Sequence, residues 1–127
     1  MLTLMKPILF RALVLFALAG FAARAQADGK SLLARCEQAE RLFNEQKIDD
    51  PVSAGFCLGY VGAIRNALQL LEGDRDPGRR ICPPKEGVEV GQAIRLAIRF
   101  LRDNPQRLAE NEAALVIEAL RNAYPCR

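Results

Sequence analysis

The residues in this chain with the most readily interpreted chemistry are four cysteines, Cys36, Cys57, Cys82 and Cys126. In an oxidising compartment, an even number of widely spaced cysteines indicates disulfide bridges, and four cysteines allow three different pairings. A zinc site would need ligands clustered at short spacings such as Cys-x-x-Cys, which is also the motif of thioredoxin-like redox centres, and the sequence lacks it. We therefore expect two structural disulfides, no bound metal and no cofactor.

The rest of the sequence offers little for catalysis. The chain contains no histidine, so Ser-His-Asp and Cys-His arrangements are excluded. After a leader is removed, the only hydroxyl nucleophiles besides tyrosine are Ser31 and Ser53, and neither has an evident base beside it. Paired carboxylates occur only beside turn residues, where capping and solvation explain them better than acid–base catalysis does. We expect a binding protein and not an enzyme.

The N-terminal segment has the pattern of a secretory leader. A basic start is followed by an apolar run from Ala12 to Ala22 and then by small residues, as in a signal peptide that is cleaved after Ala25 or Ala27. The run is shorter than the ~20 apolar residues that span a bilayer, so we expect no membrane anchor after cleavage. The sequence thus predicts a signal peptide over residues 1–27, a single domain over residues 28–127 and a periplasmic location.

Loss of the leader also changes the net charge. The whole chain has a formal charge of +3, but Lys6, Arg11 and Arg24 leave with the leader, so the mature protein is neutral. The net charge of the mature protein therefore does not support nucleic-acid binding, which needs an excess of basic side chains to neutralise phosphates. About 100 mature residues form one domain with a modest core, which disulfides would reinforce.

The apolar periodicity predicts an all-α fold, a small bundle of about four helices held by disulfides. Proline after a capping side chain marks two of the helix starts, at Asp50-Pro51 and Asn104-Pro105. The third helix is predicted from Val90 to Asp103, and the fourth is expected to kink near Asn111. The first helix is predicted from its apolar face, which carries Leu32, Cys36, Ala39 and Phe43.

The second predicted helix is unusually apolar. No charge occurs between Ala54 and Ile64, so we expect this helix to be central in the fold, in a dimer interface, or both. Its three glycines, Gly55, Gly59 and Gly62, each destabilise a helix by about 1 kcal/mol relative to alanine. Close approach of another helix would offset this cost, either within the monomer or across the two-fold axis of a homodimer. Packing within the monomer is the preferred interpretation. Tyr60 is expected to pack in the core.

Two groups of arginines are candidate partner-binding residues. Arg79 and Arg80 form a basic turn in the long loop between Glu72 and Glu89, whose end Cys82 should hold in place. A basic stripe on the outer face of the third helix contains Arg95, Arg99 and Arg102. A solvated helix face explains the stripe without function, whereas the functional interpretation is docking of an acidic partner by the planar guanidinium groups.

Several motifs resemble the Rap/Tai immunity-protein family over the range from Cys36 to Cys126. The resemblance rests on Phe56-Cys57-Leu58-Gly59-Tyr60-Val61-Gly62, Ile81-Cys82-Pro83-Pro84, Gly87-Val88 through Gly91-Gln92, Phe100-Leu101-Arg102-Asp103-Asn104-Pro105, and Ala119-Leu120 to Tyr124-Pro125-Cys126. One departure is Glu89, where the family tends to have threonine, since glutamate caps a helix less well than a hydroxyl does.

The resemblance implies a small periplasmic helical protein that neutralises a peptidoglycan amidase toxin of a type VI secretion system. Inhibition would be steric, with the loop from Glu72 to Arg80 entering the enzyme's cleft and Arg79 and Arg80 making contacts. The alternatives are an acid-stress periplasmic chaperone and an orphan structural domain without a toxin partner.

A more distant likeness to acid-stress chaperones of the HdeA type concerns the disulfide pairing. These chaperones link the helix that corresponds to Cys36 with the segment that corresponds to Cys82. The likeness therefore implies a Cys36–Cys82 bridge, which leaves Cys57 to pair with Cys126.

Overall fold

The computed structural model describes residues 27–70 and 80–126, and within these ranges it contains four α-helices and no strand. The helices are α1 (Gly29–Phe43), α2 (Pro51–Leu70), α3 (Val90–Asp103) and α4 (Glu112–Ala123), with a short 3-10 helix at Pro105–Arg107 between α3 and α4. The predicted all-α fold is confirmed. The predicted leader, apart from Ala27, and most of the long loop lie outside the described residues.

Capping side chains explain where α1 and α2 begin. The Asp28 carboxylate accepts a hydrogen bond from the Ser31 backbone N–H at 2.9 Å, and this bond lowers the pKa of Asp28. Asp50 accepts hydrogen bonds from the Ser53 hydroxyl at 2.6 Å and from the Ser53 backbone N–H at 3.0 Å. These two bonds lower the pKa of Asp50. Both carboxylates satisfy N–H groups that have no partner inside the first helical turn.

The predicted fourth helical segment is divided and not merely kinked. After the 3-10 helix, the chain turns, and the Arg107 carbonyl accepts a hydrogen bond from the Glu110 N–H at 2.9 Å. A new helix then starts because the Asn111 side chain accepts hydrogen bonds from the N–H groups of Ala113 and Ala114, at 3.0 and 3.2 Å. A capping asparagine thus begins α4 where the sequence predicts a kink.

One hydrophobic core lies between the helices. Its buried side chains include Leu32, Cys36 and Ala39 of the apolar face predicted for α1, and α3 contributes Ala93, Ile94, Ala97, Ile98 and Leu101. The pair α1 and α2 makes the most extensive contact, and α3 packs against α1, α2 and α4. The largest fully buried residues are Leu32, Ile81, Ile94, Ile98, Leu101, Leu115 and Leu120.

The predicted disulfide pairing is wrong. Two bridges form, as expected, but they join Cys36 to Cys57 and Cys82 to Cys126. Cys36 and Cys57 are both fully buried between the neighbouring helices α1 and α2, so they face each other. Cys82 is placed beside the chain end, because its N–H donates to the Tyr124 carbonyl at 2.9 Å.

Each bridge closes a long segment of chain. The paired cysteines are 21 and 44 residues apart, and for loops of this size the restriction of the unfolded chain contributes about 3 to 4 kcal/mol per bridge. The first bridge fixes α1 against α2. The second fixes the end of the long loop against the C-terminal segment that follows α4.

Candidate partner-binding surfaces

The described end of the long loop is anchored at the C-terminal side of the bundle. Ile81 is fully buried, and Cys82 is held by the disulfide to Cys126 and by its hydrogen bond to Tyr124. Arg80, Ile81, Cys82 and Pro83 line a shallow pocket of about 270 Å³. The structure therefore fixes the backbone next to Arg80, whereas Arg79 and the rest of the predicted inserting loop lie outside the described residues.

The three arginines of α3 lie together on its exposed face, as the sequence predicts. Arg95, Arg99 and Arg102 line a second pocket of about 260 Å³, and Glu40 and Asp103 line it with them. Among the described residues, this pocket and the pocket at Arg80 share no lining residue. Arg80 and the three arginines of α3 thus line different pockets.

Acidic and aromatic neighbours already engage much of the α3 stripe. Arg102 donates hydrogen bonds to Glu37 at 3.1 Å and to Glu40 at 3.0 Å. These hydrogen bonds, above all the one to Glu37, raise the pKa of Arg102. The guanidinium group of Arg95 lies over the ring of Phe43, 5.5 Å from its centroid. Because carboxylates line the same pocket as the arginines, this face offers less net positive charge than its sequence suggests.

The outer face of α2 is largely apolar, and none of the described residues covers it. Val52 and Leu70, near its two ends, are 82% and 86% exposed. A Cβ atom built at Gly55 or at Gly59 would have no heavy atom of residues 27–70 or 80–126 within 4 Å. The expectation that these two glycines allow close packing within the monomer is therefore wrong, because the core contacts the opposite side of α2. Only Gly62 has a neighbour, Val90, at 3.4 Å.

A stack of side chains borders this apolar face. The Arg35 guanidinium lies 4.3 Å from the centroid of the Phe56 ring, and the Phe56 and Tyr60 rings stack with their centroids 5.3 Å apart. Tyr60 packs against the core, as predicted. Burial, followed by the neighbouring Glu112 carboxylate, raises the pKa of Tyr60 to about 12.

Sequence reasoning missed two features of this region. The sequence does not predict that Arg35 covers the ring of Phe56, because the two residues lie on different helices. Glu112 is only 3% exposed, although a charged residue at the start of a helix is ordinarily solvated. Its position in the first turn of α4 is consistent with the preference for acidic side chains there.

Comparison with protein-family models identifies the family of this chain. The sequence model described as "Rap1a immunity proteins" matches residues 28–126, a range that contains all four cysteines. The chain belongs to the Rap1a immunity protein family. No curated protein and no solved structure matches the chain.

Membership of the Rap1a family confirms the resemblance found in the sequence motifs. It indicates an immunity function, in which the protein acts by binding a toxin effector. The two disulfides fit a protein of an oxidising compartment such as the periplasm. Within residues 27–70 and 80–126, no helix combines the length and the apolar character that crossing a membrane requires.

Proposed function

We propose that this Rap1a family protein is a periplasmic immunity protein that sterically inhibits a peptidoglycan amidase delivered by a type VI secretion system. The observation that carries the proposal is the family match, which extends over residues 28–126 and so includes the whole helical bundle. The amidase target and the secretion system come from the resemblance of the sequence motifs to the Rap/Tai immunity proteins. The protein itself needs no catalytic group for this function.

The construction of the bundle supports a steric mechanism. One disulfide joins α1 to α2, and the other joins the end of the long loop to the C-terminal segment. A scaffold that is cross-linked in this way loses little conformational entropy when it binds, so more of the contact energy is available as affinity. Occlusion of an enzyme's cleft needs such a surface and no chemistry of its own.

The contact with the amidase is assigned to the loop from Glu72 to Arg80, with Arg79 and Arg80 as contact residues. The anchored backbone at Ile81 and Cys82 supports this choice, because it gives the end of the loop a fixed position. The α3 stripe is the weaker candidate, since Arg102 already pairs with Glu37 and Glu40.

Charge reversal at the two pockets tests this assignment. We expect the double variant Arg79→Glu, Arg80→Glu to weaken binding of the cognate amidase about tenfold or more, since like charges placed opposite each other at an interface are costly. The matched control is the double variant Arg95→Glu, Arg99→Glu, which makes the same charge change on α3. Titration calorimetry gives the affinities, and thermal unfolding verifies that both variants fold.

The outcomes separate the two surfaces. If the loop variant binds as tightly as the native protein, the loop is removed from the interface. If only the α3 variant loses affinity, the basic stripe is the contact surface instead. An amidase encoded next to this chain is the natural enzyme for the experiment.

An acid-stress chaperone is a second candidate, favoured by the apolar outer face of α2. Such a chaperone binds unfolded clients through apolar surface that becomes exposed when carboxylates are protonated. Binding of a hydrophobic dye should then rise as the solution is acidified. Dye binding that stays unchanged from about pH 7 to about pH 2 would exclude this function.

A further inference from the structure

The two disulfides differ in their access to solvent. Cys36 and Cys57 are both 0% exposed and belong to the hydrophobic core. Cys82 is exposed, and Cys126 is only partly buried. A reductant in solution can therefore approach the second bridge while the protein is folded, whereas core side chains cover the first bridge.

The two bridges also differ in their place in the fold. Cys36–Cys57 joins α1 to α2, the helix pair with the most extensive contact. Cys82 and Cys126 both lie outside the helices, because Cys82 precedes α3 and Cys126 follows α4. A reductant reaches the first bridge only when α1 and α2 separate, which requires unfolding of the core. The second bridge can open without the loss of any helix.

Other contacts hold the same segments together once the second bridge is open. Ile81 is fully buried, and the Cys82 N–H donates to the Tyr124 carbonyl at 2.9 Å. Neither contact depends on the Cys82 side chain, and Tyr124 itself packs against the core. We therefore expect the reduced protein to keep its four described helices and to lose the covalent link between the two segments.

A pocket beside Cys82 gives a thiol room to approach. Cys82 lines the pocket of about 270 Å³ together with Arg80, Ile81 and Pro83. Thiol–disulfide exchange begins when a thiolate attacks one sulfur of the bridge, and its rate depends on access to that sulfur. Because Cys82 is more exposed than Cys126, the attack takes place at Cys82.

From this contrast we propose that Cys82–Cys126 is a site of reversible thiol–disulfide exchange with a dithiol reductant, whereas Cys36–Cys57 is a structural bridge that does not exchange. The first thiolate of the reductant forms a mixed disulfide with Cys82, and the Cys126 thiolate that is released takes up a proton. The second thiol of the reductant then breaks the mixed disulfide. Two electrons and two protons pass to the protein, and the reductant becomes a disulfide.

Exchange at this bridge regulates the contact with the amidase, and this part of the inference rests on the proposed function. Cys82 lines the same pocket as Arg80, which is assigned to that contact. The oxidised bridge holds the backbone beside Arg80 in one position, so less conformational entropy is lost on binding. We expect the reduced protein to bind the amidase about tenfold more weakly.

Reduction of the native protein tests the exchange site. The oxidised protein is incubated with dithiothreitol and treated with iodoacetamide at intervals, and mass spectrometry identifies the alkylated cysteines. We expect Cys82 and Cys126 to be alkylated at least about a hundredfold faster than Cys36 and Cys57, whose reduction requires unfolding of the core. The far-UV circular dichroism should stay constant during the fast reaction.

The matched control is the same incubation in concentrated urea. Both bridges are then accessible, so they should be reduced at similar rates, which shows that burial causes the difference in the native protein.

Paired substitutions test the effect on amidase binding. Cys82→Ala with Cys126→Ala imitates the reduced state, and titration calorimetry compares its affinity for the cognate amidase with that of the native protein. The matched control, Cys36→Ala with Cys57→Ala, removes the bridge that is not beside Arg80 and should bind as the native protein does. Native protein reduced at Cys82–Cys126 by dithiothreitol gives the same comparison without any substitution.

Three results would overturn the proposal. Equal rates of reduction in native buffer would show that burial does not protect Cys36–Cys57. Loss of the helical signal together with reduction of Cys82–Cys126 would show that this bridge maintains the fold. Equal amidase affinity of the oxidised and reduced proteins would exclude the regulation. If neither form binds the amidase, the immunity function fails with its regulation, whereas the reduction rates, which are measured without amidase, still decide the exchange.

Discussion

Three of the four helices begin at a side chain that accepts backbone N–H groups, and α3 is the exception. Asp28, Asp50 and Asn111 each accept at least one such hydrogen bond. Glu89 stands at the same position before α3, with extended backbone angles, but its side chain makes no capping hydrogen bond. This agrees with the expectation from the sequence, in which the resemblance to the Rap/Tai family implies threonine at position 89 and glutamate is the weaker cap.

Replacement of Glu89 by threonine should therefore stabilise the protein. A threonine hydroxyl can accept a hydrogen bond from an N–H group of the first turn, and we expect the free energy of unfolding to rise by about 0.5 kcal/mol. Part of the gain from capping is lost because the glutamate charge is itself favourable near a helix N-terminus. Urea unfolding of Glu89→Thr against the native protein measures the difference. A decrease in stability would mean that Glu89 has a role that its described contacts do not show.

At the scale of the helices, local signals were readable in the sequence and the contacts between helices were not. Proline and capping residues predicted the starts of α2 at Pro51 and of the 3-10 helix at Pro105, because those effects act within one turn. The disulfide pairing depends on which faces of α1 and α2 pack together. Periodicity shows which residues share a face of a helix, but it does not show which other helix packs against that face. Gly55 and Gly59 show the same limit. Their unfavourable helix propensity follows from the sequence, but the expected close packing of another helix against them does not occur among the described residues. The arginines of α3 can be identified from the sequence of that helix alone. Their pairing with Glu37 and Glu40 cannot, because these carboxylates belong to α1.

The exposed glycines of α2 give a prediction at this scale. With no atom near either position, Gly55→Ala and Gly59→Ala should each stabilise the protomer by about 0.5 to 1 kcal/mol through the higher helix propensity of alanine. Gly29→Ala is the contrasting control, because its Cβ atom would lie 2.5 Å from Leu115 and 3.1 Å from Leu101. We expect that change to destabilise by about 1 to 3 kcal/mol.

Thermal unfolding of the dilute protein measures these changes in stability. If alanine at positions 55 and 59 lowers the stability of the dilute protein, then α2 packs against another part of the same chain. If the gain appears only on dilution and is lost at high concentration, the glycines serve the contact between two copies.

At the scale of the whole molecule, the two disulfides and the hydrophobic core act on different parts of the chain. The core joins the four helices, and Cys36–Cys57 reinforces its closest helix pair. Cys82–Cys126 instead fixes the boundary between the long loop and the chain end, at the place where the amidase contact is assigned. The outer face of α2 is a separate surface.

Inhibition of the amidase tests the proposed function most directly. The measurement is hydrolysis of purified peptidoglycan by the proposed cognate amidase, titrated with the oxidised mature protein. Steric occlusion of the cleft predicts that hydrolysis falls in proportion to the added protein and stops near one protomer per enzyme. Hydrolysis that continues undiminished in the presence of excess protein would contradict the proposed immunity function.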